Sequence, residues 1–349
     1  MSELQTKIEQ ALNQALQMDF SQNWQEQSFA TLPDAITQNP IFIKNLIEPN
    51  KALIDLGGKR WRPLFLMLCY DFAKQNPQNA AHALPESTTL SLTPLVEFVH
   101  TASLIHDDIE DSADLRRGKP AAHITYGLDT ALNCASWLYF VAPVCLQNPE
   151  LSQVQQLAFY RLYTNELRRL HLGQAMDIYW HSNKEIFPTE QEYCAMVRCK
   201  TGTLASLAAQ VGMLAGGASL KDAAVYGDIA AEIGIGFQII DDVINLTKGN
   251  PGKKRGDDIV EGKKSLPVLL HIQQKPQDKD KLCILMQKAA LGGIDSPAVE
   301  ECISLLQTTD CIKKAAEKGK DYIRKSCARF QDSSLISQLF TSMIPEDFR

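Results

Sequence analysis

The chain has 349 residues, 45% of them hydrophobic, and its 41 acidic residues against 35 lysines and arginines give a net charge of −6. This balance argues against nucleic acid as the main partner, and the apolar fraction is enough for a sizeable core. No segment has the composition of a linker, so we predict one domain over residues 1–349. The nine scattered cysteines form no CxxC pair, and we expect reduced thiols in a cytoplasmic protein.

The N-terminal stretch "MSELQTKIEQALNQALQ" is polar with a helical pattern, unlike a signal peptide. Farther along, apolar residues recur at helical spacing, most clearly over residues 90–109 and 192–215. Strand-like alternation is absent, so we predict an all-α fold with long helices. No apolar run approaches the roughly 20 residues that cross a bilayer, and we expect no stable membrane insertion. The breaks between helices are expected at residues 57–58, 76–87, 115–120, 182–190, 248–256 and 291–297.

The stretch "SLIHDDIEDSADLRRG" places three aspartates at the end of an apolar helix. Asp107 and Asp111 are four residues apart and therefore lie on one helix face, with Asp108 beside them. Like charges at this spacing repel, and a Mg²⁺ ion that binds substrate phosphate would offset the repulsion. A solvated helix end is the alternative for a single acidic motif.

A second acidic pair, Asp241 and Asp242, follows another apolar run in "GFQIIDDVINL" and precedes a basic loop. Two such helices could face each other across a cavity, with carboxylates that hold several Mg²⁺ ions. The bound anion would carry several phosphate oxygens, because one phosphate does not need so many counter-charges.

Three further clusters agree with a phosphate-binding protein. "GGKRWRP" places basic side chains after a glycine pair that can expose N–H groups. In "RCKTGTL", Gly202 follows Lys200 and Thr201 inside a long apolar helix, where a kink would free backbone carbonyls. Gln174 and Asp177 share a helix face in "GQAMDIYW".

Taken together, these motifs resemble the trans-isoprenyl diphosphate synthases, in particular the eukaryotic-type geranylgeranyl diphosphate synthases. The motifs occur in the family's order over about residues 55–270, and residues 271–349 form a C-terminal helical part. The resemblance implies the isoprenoid synthase fold, a bundle of long helices around a deep apolar cavity. It also implies a homodimer at least, and a Mg²⁺-dependent ionisation, condensation and elimination that joins isopentenyl diphosphate to an allylic diphosphate of C5 to C15.

The resemblance also implies roles for individual residues. The metal ligands, for about three Mg²⁺ ions, would be Asp107, Asp108, Asp111, Asp241 and Asp242. The allylic diphosphate, or charge beside it, would be held by Arg116, Lys200, Thr201, Gln238, Lys253 and Lys263. The isopentenyl diphosphate site would comprise Gly58, Lys59, Arg62, His100 and Arg117, with Arg60 next to it.

One departure from the family pattern concerns the second motif, which ends in Asn245 where many members have Asp. Asparagine keeps an oxygen ligand without the charge, so we expect a weaker Mg²⁺ contact. The eukaryotic-type geranylgeranyl enzymes often have this asparagine.

Product length is expected to depend on residues near the first motif. Farnesyl diphosphate synthases usually carry an aromatic residue five positions before the first aspartate, where this chain has Ala102, followed by Ser103. A small residue implies a product of C20 or longer, and we predict geranylgeranyl diphosphate. Trp137, Tyr139 and Phe140 are candidates for the floor of the tail cavity, or are ordinary core aromatics.

Several alternatives remain. A longer-chain polyprenyl diphosphate synthase that makes a quinone side chain would share every catalytic motif and differ only in product length, and a farnesyl diphosphate synthase is a further alternative. A terpene cyclase would lack the isopentenyl site, and a metal phosphohydrolase would leave the basic motifs without a role. A non-catalytic partner subunit is expected to lack one of the aspartate motifs.

Overall fold

The computed structural model describes residues 2–249, 254–330 and 333–346, and nearly all of the regular structure in them is helical. The predicted all-α class is therefore confirmed. The first ten helices are α1 (Ser2–Ala15), α2 (Gln22–Phe29), α3 (Asp34–Thr37), α4 (Ile41–Asp55), α5 (Trp61–Lys74), α6 (Pro77–Ala80), α7 (Glu86–Ser91), α8 (Pro94–Glu110), α9 (Ala122–Tyr126) and α10 (Leu128–Val141). The others are α11 (Gln153–Ser182), α12 (Glu190–Val197), α13 (Thr203–Ala215), α14 (Leu220–Thr247), α15 (Asp257–Glu261), α16 (Leu266–Gln274), α17 (Lys279–Gly292), α18 (Pro297–Leu306), α19 (Cys311–Ala328) and α20 (Ser334–Thr341).

Short elements of other kinds occupy the connections. A π-helical turn, Arg198–Gly202, joins α12 to α13, and the segments Ala142–Gln147 and Pro276–Asp278 are 3₁₀-helical. Two short strands, β1 (Leu115–Arg116) and β2 (Lys119–Pro120), form an antiparallel hairpin after α8. This hairpin is the sheet structure within the described ranges, and it carries both arginines of the first acidic motif.

The described chain groups into two compact units. Unit 1 comprises Met1–Asn165 and Leu207–Ala224, and unit 2 comprises Glu166–Ser206 and Val225–Arg349. Each has its own apolar contacts, and the single domain over residues 1–349 stays a prediction.

In unit 1, small residues allow α10 to pack closely on α8 and α4. Ala131 and Ala135 of α10 contact Ile105 of α8 and Leu53 of α4, and all four are buried. Asn50 of α4 donates its side-chain N–H to the carbonyl of Cys134 over 2.8 Å. This bond satisfies a buried side-chain N–H and links the two helices.

In unit 2, the core is built from α12, α14 and the helices α15 to α19. Its fully buried members include Ile239, Val243, Leu282, Ile303 and Leu306. α12 begins with a capping box, in which Thr189 and Glu192 satisfy each other's backbone N–H groups. Gly236 of α14 lies so close to α19 that an added Cβ would sit 2.6 Å from the carbonyl oxygen of Gly319. Glycine at this position therefore lets α14 and α19 pack closely.

One helix in the described ranges, α14, has the length and apolar composition of a membrane span. This finding differs from the expectation that no apolar run comes near that length. Most of its apolar window is buried inside the protein, as in the core helices of soluble proteins, which pass the same test.

Candidate active site

The first acidic motif lies at the C-terminal end of α8, as predicted. α8 ends at Glu110, and Asp111 caps it with a backbone N–H that donates to the carbonyl of Asp107 over 2.8 Å. The side chains of Asp107 and Asp111 are partly exposed, whereas Asp108 is buried. The three carboxylates therefore have different surroundings, although they are adjacent in sequence.

Arg116 in β1 neutralises the buried carboxylate. Its Nε donates to Oδ1 of Asp108 over 2.8 Å, its Nη2 contacts the same oxygen, and its Nη2 lies 3.8 Å from Oδ2 of Asp107. The structure thus brings a predicted diphosphate ligand directly to the aspartates.

Arg117, the next residue, has a different environment. Its φ of +53° is a left-handed conformation, and its Nη1 donates to the carbonyls of Leu53, over 3.2 Å, and Gly57. An added Cβ on Gly58 would lie 3.1 Å from Arg117 Nη2, so glycine leaves room for this guanidinium.

The other residues predicted for the isopentenyl site also lie in unit 1. Burial lowers the pKa of His100 well below its usual value, and the charges of Arg62, Arg117, Arg116 and Arg60 lower it further. Burial also lowers the pKa of Arg62 to about 10, and its buried Nε has no hydrogen-bond partner among the described residues. A neutral histidine among several arginines is a suitable environment for binding an anion, and the unsatisfied Nε–H of Arg62 could donate a hydrogen bond to it.

Two details of the "GGKRWRP" prediction were wrong. The N–H of Gly57 is not offered to an anion, because it donates to the carbonyl of Ile54 over 2.9 Å. Arg60 is only 4% exposed and bonds to Glu9, Glu97 and the carbonyl of Ile54. Lys59, in contrast, is exposed.

In unit 2, the two aspartates of the second motif also differ. Asp241 is partly exposed, whereas Asp242 is buried and accepts hydrogen bonds from the Tyr193 hydroxyl at 2.6 Å and the N–H of Leu266 at 3.3 Å. Gln238 Nε2 donates to its other oxygen over 3.1 Å. Burial raises the pKa of Asp242 to about 7, and the charge of Asp258 adds to this rise. No role was predicted from sequence for Tyr193 or Asp258, because their interactions with Asp242 join positions distant in sequence.

Asn245 does not have the predicted environment of a metal ligand. It is 1% exposed, its Oδ1 accepts the N–H of Asp258 over 3.3 Å, and its carbonyl accepts the N–H of Gly256 over 2.9 Å. Its amide therefore holds the start of α15 against α14. The reason is the helix period, since residues 242 and 245 share the buried face of α14.

The interruption predicted at Lys200 and Thr201 is the π-helical turn between α12 and α13. Glycines permit it: an added Cβ on Gly173 would lie 2.4 Å from the backbone nitrogen of Lys200, and one on Gly234 would lie 2.6 Å from Cα of Gly202. Lys200 Nζ donates to Asp177 over 2.7 Å, and the Thr201 hydroxyl donates to Gln238 Oε1 over 2.9 Å. A chain of hydrogen bonds thus connects Thr201 through Gln238 to Asp242.

Lys263 lies after α15, beside two acids. Its Nζ is 2.6 Å from Oε2 of Glu261 and 3.4 Å from Oδ1 of Asp258. Lys253 lies outside the described residues.

The residues expected to control product length are not grouped as a floor. Ala102 is fully buried, and Ser103 donates its hydroxyl to the carbonyl of His100 over 2.8 Å. Trp137 stacks on Phe29 with ring centroids 5.5 Å apart. Tyr139 stacks on His106, one residue before the first aspartate. Phe140 is 78% exposed and so cannot close a cavity within this chain.

The grouping of the acidic residues bears on how a metal could bind. Among the described residues, no three His, Cys, Asp or Glu side chains are arranged to hold a metal alone. Mg²⁺ usually binds one or two carboxylates and completes its octahedron with water and substrate phosphates. The partly exposed carboxylates of Asp107, Asp111 and Asp241 fit that donor set.

Comparison with known proteins agrees with these features. Residues 43–304 match the sequence profile of the polyprenyl synthetase family. The chain is 33% identical over 303 residues to the geranylgeranyl pyrophosphate synthase dpasD of Apiospora sacchari, covering 86% of this chain and 84% of the relative. It is 33% identical over 247 residues to paxG of Penicillium paxilli, a geranylgeranyl pyrophosphate synthase, covering 69% of this chain and 64% of that enzyme.

Solved structures give the same result for the fold. The geranylgeranyl pyrophosphate synthetase of Pyrococcus horikoshii superposes with a TM-score of 0.78 at 25% identity, covering 99% of this chain and 96% of the other. The geranylgeranyl pyrophosphate synthase of Corynebacterium glutamicum, solved with isoprenyl diphosphate and magnesium, gives 0.77 at 22% identity and covers 97% of both chains. The predicted isoprenoid synthase fold is confirmed.

Proposed function

Because the chain belongs to the polyprenyl synthetase family, we propose that it is a prenyltransferase that condenses isopentenyl diphosphate with an allylic diphosphate of C5 to C15. Its product is geranylgeranyl diphosphate, the C20 compound named in the relatives' function.

The observation that carries this proposal is the divergence of two adjacent arginines. Arg116 lies against the aspartates of α8, whereas Arg117 contacts the carbonyls of Leu53 and Gly57. A hydrolase or a cyclase acts on one diphosphate and needs one such cation. Two cations with separate environments support two diphosphates, one bound through metal and one by basic side chains alone.

The metal-dependent part of the site uses the exposed carboxylates. Asp107, Asp111 and Asp241 are the proposed direct ligands of about three Mg²⁺ ions, while the buried Asp108 and Asp242 position their neighbours. Mg²⁺, when bound, would neutralise the charge that develops on the leaving diphosphate. A divalent metal is also present in the Corynebacterium glutamicum structure.

The side chains then have separable tasks. Arg116, Lys200 and Lys263 hold the allylic diphosphate and stabilise it as its C–O bond ionises. Gln238 and Thr201 present oxygen atoms, and these can face a carbocation without forming a bond to it. Lys59, Arg62, His100 and Arg117 orient the isopentenyl double bond toward the cation. The departed diphosphate takes the proton in the last step.

A homodimer in the cytoplasm is part of the proposal. α10 has an exposed apolar stripe formed by Leu128, Leu132 and Phe140, which are 53%, 49% and 78% exposed. Apolar patches of this kind on a soluble protein are typical of interfaces. A second copy of the chain would cover it.

Product analysis tests the proposal. The purified protein is incubated with Mg²⁺, labelled isopentenyl diphosphate and primers of C5, C10 or C15, and the dephosphorylated products are sized by chromatography. We expect C20 from each primer. No elongation with any primer would refute the prenyltransferase assignment, and products of C30 or longer would favour a long-chain polyprenyl diphosphate synthase.

A further inference from the structure

Arg60 is the most enclosed cation of the basic cluster in unit 1. Its guanidinium makes four contacts: Nε to Glu9 at 2.6 Å, Nη1 to Glu97 at 2.6 Å, and Nη2 to the Ile54 carbonyl at 2.6 Å and to Glu9 at 3.3 Å. Its side chain is 2% exposed. Arg60 is therefore committed to protein partners and is not available to a substrate.

The position of Arg60 in the chain gives this network a functional consequence. It lies between Lys59 and Arg62, both proposed ligands of isopentenyl diphosphate, and caps α5 with a left-handed φ of +46°. A residue other than glycine keeps this conformation only where its surroundings hold it. The four contacts of Arg60 therefore fix the directions in which its two neighbours leave the backbone.

The two acidic partners differ in accessibility. Glu97 of α8 is buried, with a side chain 3% exposed, and it balances the charge of Arg60 inside the protein. Glu9 lies on the N-terminal helix and its side chain is 40% exposed. Substitution of Glu9 can thus test the network without leaving a buried charge unpaired in the core.

The N-terminal helix is well placed for this contact. Ile8 and Leu12 are buried along one face of α1, as is Leu16 directly after it, and Lys7 bonds to Glu86 of α7 over 2.9 Å. Glu9 therefore reaches Arg60 from a helix that is itself packed onto unit 1.

We propose that Glu9 is a positioning residue for isopentenyl diphosphate, and that α1 completes this substrate site by clamping Arg60 from outside while Glu97 clamps it from inside. The assignment rests on the proposed function. It concerns one of the two substrates and leaves the allylic site unaffected.

The test compares Glu9→Gln and Glu9→Asp with Glu3→Gln, a control on the same helix whose carboxylate pairs only with exposed Lys7 among the described ion pairs. Steady-state kinetics give KM for each substrate, calorimetric titration gives the Kd of isopentenyl diphosphate, and thermal unfolding gives Tm. For a half-exposed ion pair we expect Glu9→Gln to raise KM and Kd for isopentenyl diphosphate about three- to fivefold.

In the same experiment the allylic KM and Tm should not change, Glu9→Asp should restore part of the affinity, and Glu3→Gln should match wild type. Equal behaviour of Glu9→Gln and Glu3→Gln would overturn the proposal. A parallel rise of both KM values with a lower Tm would do so too, because it indicates a general structural role. If wild type elongates no primer, the proposed function fails, while the calorimetric arm still tests whether Glu9 affects binding.

Discussion

Oδ1 of Asp108 receives both Nε and Nη2 of Arg116, and this carboxylate is 2% exposed at the end of a helix whose other aspartates reach the surface. The relationship separates two tasks within one acidic motif. Asp108 holds the hairpin arginine in place, and Asp107 and Asp111 are the proposed metal ligands.

The first prediction follows from this separation. Asp108→Ala should lower the free energy of unfolding by about 3 kcal/mol, because it removes the buried carboxylate that contacts the largely buried guanidinium of Arg116. Asp107→Ala should abolish turnover but change stability by less than about 0.5 kcal/mol, since it removes a like-charge neighbour of Asp111. Urea denaturation and product assays on both variants measure these effects. Full activity of Asp107→Ala would refute the metal assignment.

The second prediction concerns Asn245. Asn245→Ala should speed hydrogen exchange of the Asp258 amide, because this N–H loses its acceptor, Asn245 Oδ1, whereas the Gly256 N–H keeps the backbone carbonyl of residue 245. Asn245→Asp should not tighten Mg²⁺ binding, since the side chain lies on the buried face of α14. Exchange mass spectrometry and Mg²⁺ titration of activity provide the measurements, with exposed Asn183→Ala as control. A lower Mg²⁺ requirement in Asn245→Asp would show that residue 245 is a ligand after all.

The third prediction concerns product length. Ala102→Phe should shorten the main product, because the added ring occupies fully buried space below the first aspartate motif. It should also cost about 1–3 kcal/mol of stability through overpacking. Phe140→Ala should leave product length unchanged, as its side chain is 78% exposed. Chromatography of the products from a C5 primer measures product length in both variants. A longer product from Phe140→Ala would indicate that Phe140 limits chain growth.

The fourth prediction is a pH dependence due to His100. Burial lowers the pKa of its ring, and the charges of Arg62, Arg117, Arg116 and Arg60 lower it further. The His100 ring therefore stays neutral in the folded protein at a pH where the same ring in the unfolded chain, with a pKa of about 6.5, takes up a proton. The unfolded state then binds more protons, and the free energy of unfolding falls as pH drops below about 6.5, by up to about 1.4 kcal/mol per pH unit. Above that pH the effect is absent.

His100→Gln should flatten this slope between about pH 6.5 and 5.5, whereas substitution of exposed His171 by Gln should not. The measurement is denaturant unfolding of the substrate-free protein at a series of pH values. Identical slopes in wild type and His100→Gln would mean that His100 titrates normally in the folded state.

Part of the site was predictable because helix period and charge are local properties. The spacing of Asp107 and Asp111 defined their shared face, and the glycine after Lys200 and Thr201 marked the break that became the π-helical turn. The family resemblance then supplied roles that spacing alone left open.

Other assignments depended on contacts distant in sequence. Arg60 and Arg62 look alike in "GGKRWRP", but Arg60 forms direct ion pairs with Glu9 and Glu97. Asn245 has a side-chain oxygen that could bind a metal, but in the fold this oxygen accepts the backbone N–H of Asp258, 13 residues later. The exposure of Phe140 likewise depends on which face of α10 packs against other helices, and this is not given by the local sequence.

The π-helical turn between α12 and α13 has a consequence for the register of the chain. An α-helix advances about 100° per residue, so one residue accommodated in a wider turn rotates everything after it by about that angle relative to a regular helix. Regular α-helical winding of the present sequence would turn a different side of α13 toward its neighbours, whereas deleting one residue within Arg198–Gly202 would allow regular winding with the same side facing them. The π-helical turn thus changes which residues of α13 face its neighbours, compared with a regular helix running from α12 into α13. For the sequence as it stands, the wider turn is what gives α13 its orientation.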